Sequence, residues 1–271
     1  MDLFSRDGKN SHAFAFDLVN GYYDFEKNQQ ILPSVLLLTN VSKTNLSLTD
    51  INTLFHEFGH TIHGILSGYK SKYYELTINN VETDFVEAPS QFIEIYLRDK
   101  NVIKAISNCN GSNGSNEESG EKIPETLLSR YFESLTVGES RKWTRVATQA
   151  LYDLMIHTQE PIKSEELIHK YKELMNRNLF QDMGPGGSLG TWGHLMAWGY
   201  DSSYYSYVFS IVTASNLYSA IQNGTRTNRE YRELLEMGSK KPMNRYILEF
   251  LKIDSIQDIS IENFIQTFIQ N

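Results

Sequence analysis

"TLFHEFGHTIHG", residues 53–64, sets three histidines and one glutamate into a stretch that otherwise reads as apolar helix. In an α-helix, residues i and i+4 lie one turn apart on the same face. His56 and His60 therefore project side by side, where one cation about 2.0 Å from each ring nitrogen can be held by both. Glu57 follows the first histidine, and its carboxylate points to the flank of the pair, placed to take a proton from a water there. This is the HExxH arrangement of zinc hydrolases, with the glutamate as general base. The same five residues also occur on core helices that hold no metal, so the decision rests on the rest of the chain. Gly59 adds a local hint. A mid-helix glycine costs about 1 kcal/mol relative to alanine, which implies that another segment packs closely there. His63 lies a further turn along the axis, too far to complete a tetrahedron, and reads as structural or as a neighbour of the ligands.

A catalytic zinc site takes three protein ligands and leaves a fourth position open. The next carboxylates are in "VETDFVEAPSQFIEIYLRD", residues 81–99, which reads as a second helix. Pro89 cannot donate to an i−4 carbonyl, so that helix must begin close to Glu87 or kink there. A short helix–loop–helix would fold this segment back over the histidine pair. Spacing leaves Glu82, Asp84, Glu87 and Glu94 all open as the third ligand.

Before the histidine helix, "HAFAFDLV" and "ILPSVLLLTN" are β-rich runs separated by the turn-like "NGYYDFEKNQQ". Pro33 fits a strand start or an edge. Ser47 or Thr49 can serve as N-cap with Asp50 in the first turn, and Gly68 can serve as the C′ residue. Beyond the second helix, residues 108–122 are low in complexity and read as a disordered insertion. Helical patterns run from Pro124 to His157 with an interruption near Gly138, and again from Ser164 to Leu179. "MGPGGSLGTWG", residues 183–193, is a glycine-rich loop in which Gly184, Gly186, Gly187 and Gly190 suit either a closing lid or a flexible connection. The remainder is helical with a break around "EMGSKKP". The expected architecture is mainly α with a small β-sheet near the N-terminus, in one domain spanning residues 1–271.

A net charge of −8 speaks against a nucleic-acid partner. The single cysteine, Cys109, excludes an intramolecular disulfide and fits a reducing compartment. No N-terminal stretch has the form of a secretory signal, so a cytoplasmic location is expected. Between Asp182 and Arg226 the only formal charge is Asp201, but residues 202–225 are rich in Ser, Tyr and Asn. A spanning helix needs about 20 mostly apolar residues, so this run is expected to be buried in protein and not in a membrane.

"HEFGHTIH" followed by "VETDFVEAPSQFIE" resembles the thimet oligopeptidase and neurolysin family of zinc peptidases. "DLFSRDGKNSHAFAF" (residues 2–16) is similar to that family's lead-in to its active-site sheet. "WGHLMAWGYDSSYYSYVFS" (residues 192–210) is similar to its His…GYD…YYxY stretch. One residue more separates His194 from GYD than in the family pattern, and the 108–122 run has no counterpart there. The resemblance implies a gluzincin-type helical catalytic domain with one Zn²⁺ per chain, held by His56, His60 and Glu87. It implies Glu57 as general base, and Tyr207, Tyr204 and His194 as residues that bind substrate and stabilise the transition state. Short peptides are the implied substrates. Glu94 is a candidate partner for a zinc histidine. Ala88, Pro89, Ser90 and Gln91 are expected mainly to position the helix.

Family members are more than twice this long, and the resemblance covers only their C-terminal catalytic part. An N-terminal helical region, the other wall of the family's substrate channel, is expected to be missing, and such a region of the same gene product is a candidate partner. The zinc site is therefore expected on an open face, in a chain that is poorly soluble or weakly active. Two rivals stand beside the peptidase reading: a truncated zinc-binding member with little or no turnover, and a helical domain with no metal.

Overall fold

Apolar runs near the N-terminus form a three-stranded sheet in the order β1–β5–β2: β1 (Asp2–Phe4), β2 (Phe14–Val19) and β5 (Ser34–Val41). The computed structural model describes residues 1–44, 46–108, 123–160, 162–180, 189–196 and 199–270. β5 is central, parallel to β1 and antiparallel to β2, with Ala15 opposite Leu37 and Phe14 opposite Leu38. Its consecutive apolar residues are explained by burial, since Leu37, Leu38 and Val41 all belong to the core. Pro33 sits immediately before the strand, where no ladder bond is needed. The segment that reads as a turn is more ordered than expected. It forms a hairpin of β3 (Tyr22–Asp24) and β4 (Gln29–Ile31), whose reversal is held by Asp24 accepting the N–H groups of Glu26 and Lys27.

The histidine helix is α1 (Leu48–Tyr69). Ser47 is its N-cap, and a capping box joins Ser47 and Asp50: the Asp50 N–H reaches Ser47 Oγ at 3.1 Å and the Ser47 N–H reaches Asp50 Oδ2 at 2.9 Å. Gly68 does not act as C′. The helix continues through Tyr69 to a cap at Lys70, and Gly68 serves a crossing instead: a Cβ there would lie 2.9 Å from the Gly21 nitrogen.

The second helix divides as its proline requires. α2 (Thr83–Val86) ends at Glu87, and α3 (Ala88–Ile95) starts with Pro89 in its first turn, where a missing N–H costs nothing. α3 packs across α1 at Gly59. A Cβ on Gly59 would stand 2.5 Å from Ser90 Cα and 2.7 Å from the Pro89 carbonyl oxygen. Backbone cannot give way like a side-chain tip, so only glycine permits this approach, which brings Glu87 over the histidine face.

The rest is helical: α4 (Lys100–Asn108), α5 (Glu125–Ser134), α6 (Glu139–Thr158), α7 (Ser164–Leu179), α8 (Ser206–Gln222), α9 (Asn228–Leu235), α10 (Met243–Leu251) and α11 (Ile261–Phe268). The main core gathers Phe85, Phe92, Ile211, Leu217, Ile247 and Phe250 around α8, and a smaller core joins α6 to α7 through Tyr152, Tyr171 and Met175. The uncharged run becomes α8, which buries Ser210, Thr213, Ser215 and Asn216 as well as Ile211, Ala214, Leu217 and Ala220. Two of these polar side chains are satisfied within the helix, with Ser215 Oγ donating to the Ile211 carbonyl and Asn216 Nδ2 to the Val212 carbonyl. No helix among the described residues is long and apolar enough to cross a membrane. Residues 109–122 and the glycines 184, 186 and 187 lie outside the described residues.

Candidate active site

Three donor atoms meet at one point beside α1. The Nε2 atoms of His56 and His60 are 3.2 Å apart, and Glu87 Oε2 lies 3.3 Å from each. A tetrahedral ion with bonds of about 2.0–2.1 Å has ligand–ligand edges of about 3.3 Å. Two imidazoles and a carboxylate with those edges fit zinc. Among the described residues these three form the cluster able to hold a metal ion. Without a cation the lone pairs would repel one another. Burial pushes His56 down, but the carboxylates of Glu87 and Glu94 outweigh it and hold the imidazole well above its ordinary value. Burial pushes Glu87 up, but the neighbouring His60 and His56 hold it well below the usual carboxylate range.

The other carboxylates are engaged elsewhere. Glu82 accepts the N–H of Met243 at the start of α10, and Asp84 accepts the hydroxyl of Tyr205 at 2.7 Å. Glu94 Oε1 lies 2.6 Å from His56 Nδ1, and its Oε2 accepts from Asn52 Nδ2 at 2.9 Å. A carboxylate at Nδ1 places the ring proton there and leaves Nε2 as the lone-pair donor. Glu94→Gln is therefore expected to weaken zinc binding about 10- to 100-fold, read by competition with a chromophoric chelator. Unchanged affinity would show that the His56 ring needs no such support.

A cleft of about 600 Å³ opens over this point, lined by β2 residues Phe14, Ala15 and Asp17, by Glu57, and by His194, Tyr200 and Tyr207. Glu57 is buried and lies outside the ligand cluster. Burial raises its carboxyl above the usual range, and the charges of His56 and His60 restrain that rise. His194, on a short 3-10 turn (Gly193–Leu195), faces Tyr200 and Tyr207 with ring centroids 5.3 and 6.1 Å away. Burial lowers the pKa of this imidazole, which favours its neutral form. Tyr207 stands in the first turn of α8, its carbonyl accepting from Gln91 Nε2 at 3.3 Å. Tyr204 is one layer back. It does not line the cleft and packs edge-on against Trp192 at 4.7 Å.

Tyr200 is the residue that sequence reasoning passed over. It is the tyrosine of the GYD triplet, where it served only as a landmark. Its hydroxyl donates to Glu87 Oε1 at 2.6 Å, leaving Oε2 for the histidine pair, and its ring stacks on Tyr207 at 5.0 Å. His12 and Asp17 also line the cleft, although neither was singled out as a site residue by the sequence.

His63 is fully buried, and neither ring nitrogen has a hydrogen-bond partner among the described residues. Burial, with a lesser push from His60, brings it down to about 3. The unfolded chain takes up this proton near 6.5 and the folded chain does not, so stability is full above about 6.5 and falls as pH drops towards 3. At pH 5 the loss from this group is about 2 kcal/mol. Urea unfolding of wild type and His63→Leu at about pH 7 and pH 5 tests this. The variant should lose less stability across that interval, and equal losses would contradict the assignment.

The family model described as peptidase family M3 matches residues 1–264. The chain is 29% identical over 262 residues to a protein named thimet-like oligopeptidase from Dictyostelium discoideum, covering 93% of this chain and 38% of that one. It is 28% identical over 272 residues to saccharolysin from Saccharomyces cerevisiae, covering 95% of this chain and 37% of that protein. The chain thus spans under two-fifths of the length of these relatives. Its backbone is similar to that of PZ peptidase A, solved with an inhibitor, at a TM-score of 0.64 and 13% identity, over 98% of this chain and 42% of the other. At that identity the likeness concerns the fold alone.

Proposed function

This chain belongs to peptidase family M3, and from that premise we propose that it hydrolyses peptide bonds in short peptides with a zinc ion held by His56, His60 and Glu87. The observation that carries the reading is the triangle of donor atoms, with edges of 3.2, 3.3 and 3.3 Å, on the floor of a cleft lined by a buried glutamate and two tyrosines. A zinc ion held by these three residues would supply Lewis acidity and would bring the pKa of water towards about 7.

The chain's own groups carry the remaining steps. Glu57 takes a proton from the attacking water and later delivers it to the leaving amine. Tyr207 keeps its proton because burial, and then the charge of Glu87, push its hydroxyl well above the ordinary tyrosine value. It can therefore donate to the oxygen on which charge develops. Tyr200 holds Glu87 by its other oxygen and backs the Tyr207 ring. His194, kept neutral, offers a second donor at the cleft wall.

A second reading keeps the zinc and loses the turnover. It is favoured by a His56 side chain that is 25% exposed, which leaves the donor triangle open to solvent on one side. A substrate held loosely in an open cleft loses part of the orientation that lowers a barrier. One experiment separates the two: the purified chain is analysed for metal and given an internally quenched peptide, with and without chelator. About one zinc per chain and chelator-sensitive cleavage support the first reading. Bound zinc without cleavage supports the second, and absence of zinc overturns both.

A further inference from the structure

A buried polar cluster outside the cleft grips the chain segment that presents the tyrosines. Asp153 lies on α6, with its side chain fully buried. Its Oδ1 accepts the N–H of Ser202 and its Oδ2 the N–H of Tyr204, each at 3.0 Å. His157, one turn further on, brings Nδ1 to 3.0 Å from Asp153 Oδ1 and 2.9 Å from the Asp153 carbonyl oxygen. Both partners are acceptors, so Nδ1 carries the proton. A carboxylate leaves water at a cost that only such bonds can offset, and here two backbone amides and one imidazole supply them.

The gripped segment is not relaxed. Ser202 has φ +61°, a left-handed conformation that a non-glycine residue adopts only when its surroundings impose it. Tyr200 stands two residues before Ser202, with its hydroxyl on Glu87, and Tyr207 stands three residues after Tyr204, in the cleft. Apolar packing alone would fix the distance between α6 and this segment. A two-oxygen fork on amides two residues apart also fixes its orientation.

We propose that Asp153, oriented by His157, is a positioning residue that holds Tyr200 and Tyr207 in register with Glu87 without touching substrate; the inference rests on the peptidase reading above. Misplacement of about 1 Å from a change remote from the chemistry can cost about 10²-fold in rate.

The test uses the full chain as Asp153→Ala, Asp153→Asn and His157→Ala, each with measured melting temperature and zinc content. Asp153→Ala is expected to lower kcat about 10- to 100-fold, with KM changed far less. Asp153→Asn, which retains one acceptor, should lie between it and wild type. Amide exchange of residues 199–207 should accelerate in the order of the kcat losses while the cores of α1 and α3 stay protected. Should Asp153→Ala fail to fold, His157→Ala, whose side chain is partly exposed, must show the same pair of effects. Unchanged kcat in the folded variants overturns the proposal. So does exchange that rises uniformly across the chain, the mark of a merely structural role. Exchange needs no substrate, so a wild-type chain that cleaves nothing overturns the peptidase reading while the 199–207 measurement still decides whether the grip exists.

Discussion

Glu57→Gln is expected to lower kcat by about 10²- to 10⁴-fold, the contribution of a positioned general base, while the chain retains its zinc. The amide has nearly the shape of the carboxylate but cannot take a proton. Glu57 lies beside the donor triangle and not in it, so its replacement leaves His56, His60 and Glu87 facing one another as before. Its burial in the cleft makes the effect large. A carboxylate held away from bulk water is a stronger base than an exposed one. Glu87 cannot substitute for it, because Tyr200 and the two histidines already occupy both of its oxygens. Metal analysis beside steady-state kinetics decides the matter. A variant that loses its zinc would make Glu57 a ligand and overturn the mechanism.

Tyr207→Phe should lower kcat/KM by about 10²- to 10³-fold, as expected for one donor aimed at a developing oxyanion. The ring and its stacking on Tyr200 remain, so KM for substrate and zinc content should change little. Tyr204→Phe supplies the contrast. Tyr204 packs against Trp192 and is not part of the cleft lining, so the loss should be markedly smaller. Equal losses in the two variants would mean that Tyr207 acts through packing and not as a donor.

Much of the fold was legible because it depends on local rules. Ser47 and Asp50 mark the start of α1, Pro89 forces the break at Glu87, and Gly138 separates α5 from α6, each through backbone chemistry that acts within a turn. The hairpin of β3 and β4 was less legible. Its strands are three residues each, too short for an alternation to stand out. Gly68 misled for a related reason: a glycine near a helix end looks like a cap, and only the crossing of Gly21 shows why it is there.

Helical periodicity alone puts i and i+4 on one face, so the order of residues was enough to pair His56 with His60 and to set Glu57 beside them. It was also enough to require a close neighbour at Gly59. Which carboxylate joins the histidines depended on tertiary packing. Glu82, Asp84, Glu87 and Glu94 lie within thirteen residues of one another, and they part company only once α3 crosses α1 at Gly59. That crossing turns Glu87 towards Nε2 and Glu94 towards Nδ1 of the same imidazole. The place of Tyr200 in the cleft, Tyr204 behind it and Asp153 beneath both arises in the same way. Their contacts join residues 49 to 113 positions apart, and no periodicity reaches across such separations. Only the packing of α8 against α3, and of α6 against α8, brings them together.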